Sequence, residues 1–103
     1  MEEQMKTYVI KVEPFTKFVD PKAQALKPLE EAAEVFGAWQ ASGIDGARSI
    51  TPDMREDIVY ECFDTIQSCV NLMESLGTTD AELREATRKV YESNVERGRY
   101  DPY

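Results

Sequence analysis

The chain contains no histidine. That removes imidazole acid–base catalysis and every zinc site with a histidine ligand. Positive charge is scarce: 12 lysines and arginines face 20 acids, for a net charge of −8. A surface that gathers the phosphates of a nucleic-acid polymer must be basic, so DNA and RNA are excluded as partners. Only two cysteines occur, Cys62 and Cys69. On one helix they would stand about 10.5 Å apart along the axis, too far to pair with each other. They read as small apolar core residues, and a reducing cytoplasm is the expected setting. No apolar run has the length of a membrane span or a signal peptide, so no membrane partner is expected.

What is present suffices for one small globular domain. The chain has 103 residues, 42% of them hydrophobic, enough for a single core. Residues 1–19 form an N-terminal arm. Within it Thr7–Val12 is rich in β-formers and Pro14 ends the run. A lone short strand has no partner. The segment is therefore an extended arm laid on the body or on a second subunit, or the first turns of a helix; the arm is preferred.

Residues 20–97 read as helical. Asp20-Pro21 is a start signal, a capping side chain followed by proline at the first helical position. The helix it opens should reach about Ala41, with a kink or break near Lys27 imposed by Pro28. Leu26, Leu29, Ala33 and Phe36 make one apolar stripe, widened by Val35 and Trp39. Gly43 suits the helix end, and residues 43–50 form a loop containing Arg48. Thr51-Pro52-Asp53 repeats the start signal. The second helix should run from Pro52 to about Leu76, and it is apolar on nearly two sides. Such a helix requires burial in a bundle. Thr79-Asp80-Ala81-Glu82 is a capping box. It opens a third helix to about Asn94, with Leu83, Ala86 and Val90 turned inward. Residues 98–103 are a tail. Three helices with one over-apolar member predict an all-α bundle completed by a second copy of the chain.

Two acidic motifs stand within these helices. Glu30-Glu31-x-x-Glu34 places Glu31 and Glu34 at i, i+3 and Glu30 and Glu34 at i, i+4; Glu61-x-x-Asp64 repeats the i, i+3 spacing. Like charges at these spacings share a face and repel. Either pair alone is accounted for by a solvated acidic surface. Both together, among apolar neighbours, can surround one space with four carboxylates. Hard oxygen ligands suit Mg²⁺, Mn²⁺ or Ca²⁺, and metal-assisted hydrolysis of a phosphate chain follows from them. Asp57, Glu61, Asp64 and Asn71 continue one stripe of the second helix. Asn71 there is either a reader of a base edge or an ordinary surface amide. Lys89, Arg97 and Arg99 are candidate phosphate contacts or plain complements to a helix C-terminus.

In order along the chain, these two motifs and Lys89-x-x-x-x-Asn94-x-x-Arg97 resemble the signature of the MazG-like all-α nucleoside triphosphate pyrophosphohydrolases. The resemblance runs from about Leu26 to Arg97. It implies a helical bundle assembled as a homodimer or homotetramer. It also implies Mg²⁺-dependent cleavage of a (deoxy)nucleoside triphosphate to monophosphate and pyrophosphate, with Mn²⁺ an alternative metal. By position, Glu31, Glu34, Glu61 and Asp64 would hold the metal. Glu30 and Glu31 would be the catalytic pair, with Glu30 either supporting the metal ligands from behind or positioning the attacking water. Lys89, Asn94 and Arg97 would meet the phosphates, and Trp39 would stack on a base or sit in the core. The arm up to Phe18 has no counterpart in the family pattern. Two other readings stand beside the enzyme: a catalytically silent relative that binds nucleotide or protein as a homo-oligomer, and a small acidic interaction protein with solvated carboxylates.

Overall fold

Three capping side chains set the three helices. The computed structural model describes residues 6–17, 20–43 and 49–100, and all regular structure among them is helical: α1 Pro21–Ser42, α2 Pro52–Ser75 and α3 Asp80–Glu96. The Asp20 carboxylate accepts from Ala23 N at 3.0 Å. Thr51 Oγ1 accepts from Met54 N at 3.3 Å. At α3 the capping box is complete, with Thr79 N donating to Glu82 Oε1 at 2.9 Å and Glu82 N to Thr79 Oγ1 at 3.2 Å. Each contact satisfies a donor that the first helical turn leaves without a partner. Gly43 ends α1 at φ 68°, a left-handed conformation that a side chain would disfavour.

The chain forms two compact units: Val12–Leu76, which carries α1 and α2, and Met1–Lys11 with Gly77–Tyr103, which carries α3. In the first, α1 and α2 pack against each other. Gln24 shares a cavity with Ser68 and Asn71, and Ala38–Ser42 meets Met54 and Asp57. The two helices are therefore antiparallel. Helix α1 passes through Pro28 without a break, so of the kink or break expected near Lys27 the break is not seen. Proline there forfeits one hydrogen bond, to the Gln24 carbonyl, and the turns on either side keep theirs.

The interior of this helical pair is polar. Its buried residues are Gln24, Ser42, Ser68 and Asn71. The two serines satisfy themselves on their own helices, Ser42 Oγ donating to Trp39 O at 2.6 Å and Ser68 Oγ to Thr65 O at 2.7 Å. Small and polar residues bring the helices close together, and the apolar stripes face outward. Leu29 is 71% exposed, Phe36 60% and Tyr60 66%. Leu26, Trp39, Val59 and Phe63 are exposed as well. The core role expected for the cysteines is not seen: Cys69 is exposed and Cys62 half-buried, both as free thiols.

In the second unit, residues 6–11 have no regular structure, which removes the helical alternative for Thr7–Val12. Lys6 Nζ stands 4.9 Å from the centre of the Tyr8 ring. Helix α3 has no buried residue, and Leu83, Ala86 and Val90, expected to face inward, are exposed. Its solvent side is tied by Arg88, which pairs with Glu85 and Glu92. After α3 the chain folds back, with Arg99 N donating to Asn94 O at 3.0 Å and the Tyr91 and Tyr100 rings 5.2 Å apart. Arg48 and residues 101–103 lie outside the described residues. Among the described residues no helix is long and apolar enough to cross a membrane.

Candidate metal centre

The helical repeat and the antiparallel pairing together build a four-carboxylate cluster. Glu31 and Glu34 stand one turn apart on α1, and Glu61 and Asp64 one turn apart on α2. Across the pair, one carboxylate oxygen from each lies within 4.8 Å of those of the other three. Glu34 is exposed and the other three are half-buried. Glu61 Oε2 is shielded from solvent and has no hydrogen-bond partner among the described residues. A buried carboxylate oxygen without a donor is costly.

The electrostatics carry the same signature. The Glu31 carboxyl is held above its ordinary value of 4.5 by hydrogen bonding with Glu34, then by burial and by repulsion from Glu34 and Asp64, with Lys27 opposing. The Glu61 carboxyl is also raised, first by burial and then by repulsion from Glu34 and Asp64. Burial and the crowding of like charges raise carboxyl groups in this way. A divalent ion bound by hard oxygens would replace the protons of such groups. The donor set, four carboxylates with one oxygen orphaned, fits such an ion.

Glu30 is not part of this cluster. It is exposed and faces Lys27, with Lys27 Nζ 3.4 Å from its Oε2. Asn71 is brought near: it lines a cavity of about 290 Å³ that Glu31 and Asp64 also line. Lys89, Asn94 and Arg97 belong to the other unit, where Asn94 Oδ1 accepts from Arg99 Nη1 at 3.4 Å. Trp39 is 42% exposed.

The sequence reading missed Phe15, Lys17, Gln24 and Gln67, which line the same cavity. For Gln24 a signal existed. It precedes Glu31 by seven residues as Asn71 follows Asp64 by seven, two helical turns in each case and so one face. Gln67 carried one too, three residues after Asp64 and four before Asn71 on α2; Phe15 and Lys17 had none, because the arm's course over α2 follows no helical period.

Compared with protein-family models, curated proteins and solved structures, the chain matches none.

Proposed function

We propose that the protein is a Mg²⁺-dependent nucleoside triphosphate pyrophosphohydrolase, as the resemblance of its acidic motifs to the MazG-like enzymes implies. The observation that carries the reading is the convergence of Glu31, Glu34, Glu61 and Asp64 from two helices, with Glu61 Oε2 left without a donor. These four residues hold the ion, Mg²⁺ or alternatively Mn²⁺. When bound, it offsets phosphate charge and lowers the pKa of the attacking water. In the reaction a water oxygen bonds to the α-phosphorus as the α–β anhydride bond breaks, releasing monophosphate and pyrophosphate. Glu31 takes up the water proton; Glu30, outside the cluster and paired with Lys27, acts at most through its neighbour. Lys17 and Lys27, at the adjoining cavity, supply positive charge for the phosphates. In the assembled oligomer Lys89, Asn94 and Arg97 add contacts from a neighbouring subunit.

The working form is a homodimer or homotetramer in the cytoplasm. What supports assembly is the lack of an apolar core: among the described residues no large side chain is fully buried, while Leu29, Phe36, Tyr60 and Phe63 stand exposed. Ordering a chain of this size must be offset by apolar burial, and a second copy supplies it.

Mg²⁺ titration against melting temperature tests the metal assignment. Binding to the folded state should raise the melting temperature by several degrees once Mg²⁺ far exceeds its Kd, and chelator should reverse the gain. An unchanged melting temperature across millimolar Mg²⁺ would leave the acidic-surface reading in its place.

A further inference from the structure

The arm that sequence could not place runs over the polar interior of the α1–α2 pair. Phe15 N donates to Asn71 Oδ1 at 2.9 Å, and Gln67 Nε2 donates both to Glu13 O at 2.8 Å and to Asn71 Oδ1 at 3.0 Å. Both groups facing Asn71 Oδ1 are donors. The amide orientation is thereby fixed, with its oxygen toward the arm and its NH₂ turned from both donors. Asn71 is only 5% exposed, yet its NH₂ has no partner among the described residues. Nor does the amide of Gln24, which is 6% exposed and lines the same cavity. Neither amide is sealed from solvent; both border the cavity, and each offers a polar ligand edge its unused hydrogen-bonding capacity.

Phe15 also lines the cavity and is 56% exposed, so the arm does not fill the space with its own ring. At about 290 Å³ the space lies near the lower bound of small-molecule pockets, roughly 300 Å³. It has room for a ring and sugar but not for a whole nucleoside triphosphate. The phosphates then lie toward Glu31 and Asp64, the two residues the cavity shares with the carboxylate cluster.

From this arrangement we propose that the segment Glu13–Phe15 is the base-binding wall of the site, with Phe15 as the surface on which the nucleobase stacks. The proposal rests on the nucleotide reading above. The ligand class is a nucleoside triphosphate whose base carries an edge acceptor for Asn71, and the arm is a working part of the site. An aromatic face accepts any base, so Phe15 contributes affinity while the amides set preference.

The test is calorimetry in Mg²⁺ with two probes: a nucleoside triphosphate bearing a non-hydrolysable α,β-methylene bridge, and inorganic triphosphate, which has no base. Phe15→Ala should bind the nucleotide about 10-fold more weakly than wild type and inorganic triphosphate equally well. Phe15→Tyr should retain nucleotide affinity. Phe15 is largely exposed, so the melting temperature of the alanine variant should stay close to wild type. Unchanged nucleotide affinity in Phe15→Ala, or an equal loss for both probes, would overturn the role of the segment. Wild-type protein that binds inorganic triphosphate as tightly as the nucleotide would overturn it too. Wild-type protein that binds neither probe would instead overturn the nucleotide reading on which it rests.

Discussion

Glu34 is the residue through which the carboxylates press on one another. It raises the protonation of Glu31 by hydrogen bonding and charge, and it also repels Glu61. Glu34→Gln should abolish Mg²⁺-dependent activity and Mg²⁺-dependent stabilisation. It should also raise the melting temperature of the metal-free protein by about 2 °C, because a repelling charge is gone. A variant that keeps full activity would remove Glu34 from the metal site.

The same residues fix the sign of a pH effect. Glu31 and Glu61 hold their protons more tightly when folded than their ordinary value of 4.5. Between that value and their raised folded values the native state binds more protons than the unfolded state. Stability from this source is therefore present at low pH and lost as pH rises through the window. Glu82 and Glu85 are lowered by Thr79 and Arg88, and they act in the opposite sense, losing stability only below 4.5. In chelator the melting temperature should fall as pH rises above 4.5, and saturating Mg²⁺ should remove that fall. Melting scans over this range with and without Mg²⁺ check it, and a rise in chelator would contradict the crowding of Glu31 and Glu61.

Among the elements, helix limits were the most legible part of the chain. Asp20-Pro21, Thr51-Pro52 and Thr79-x-x-Glu82 all cap as local chemistry requires, since a cap needs only four adjacent residues. At Pro28 the expected break is not seen, since proline forfeits one hydrogen bond in a helix of 22 residues. The forfeited bond should still be recoverable. Pro28→Ala should stabilise the protein by about 1–3 kcal/mol, read as a higher denaturation midpoint with unchanged m. A lower midpoint would mean that the ring of Pro28, half-buried in the structure, contributes more by packing than it costs the helix. The acidic motifs were legible for the same reason as the caps, because i, i+3 spacing fixes a face. The arm was not. Its placement depends on Gln67 and Asn71, more than fifty residues away in sequence, and nothing in Glu13–Phe15 itself names those partners.

For the whole molecule, start signals and apolar periodicity foresaw a helical protein but not the inversion of its polarity. Periodicity identifies an apolar stripe without saying whether the chain's own helices cover it. Here α1 and α2 meet through Gln24, Ser68, Asn71 and the carboxylates, while Leu29, Phe36 and Tyr60 face outward. The sidedness expected of a buried bundle is present, and the second copy proposed above would bury it. Light scattering at micromolar concentration should give at least twice the 11.7 kDa chain mass, and the melting temperature should rise with protein concentration. A monomer whose melting is independent of concentration would refute assembly. Replacing Phe36 and Tyr60 with serine should shift the protein toward monomer and lower its stability together.

The account depends most on the chemistry assigned to the four carboxylates. The direct measurement is pyrophosphate release from a panel of ribo- and deoxyribonucleoside triphosphates, run in parallel with Mg²⁺ and with chelator. Equimolar monophosphate and pyrophosphate from at least one substrate, only when Mg²⁺ is present and lost in Glu34→Gln, is the predicted result. Silence across the panel with Mg²⁺, from protein shown to be folded and assembled, would contradict it.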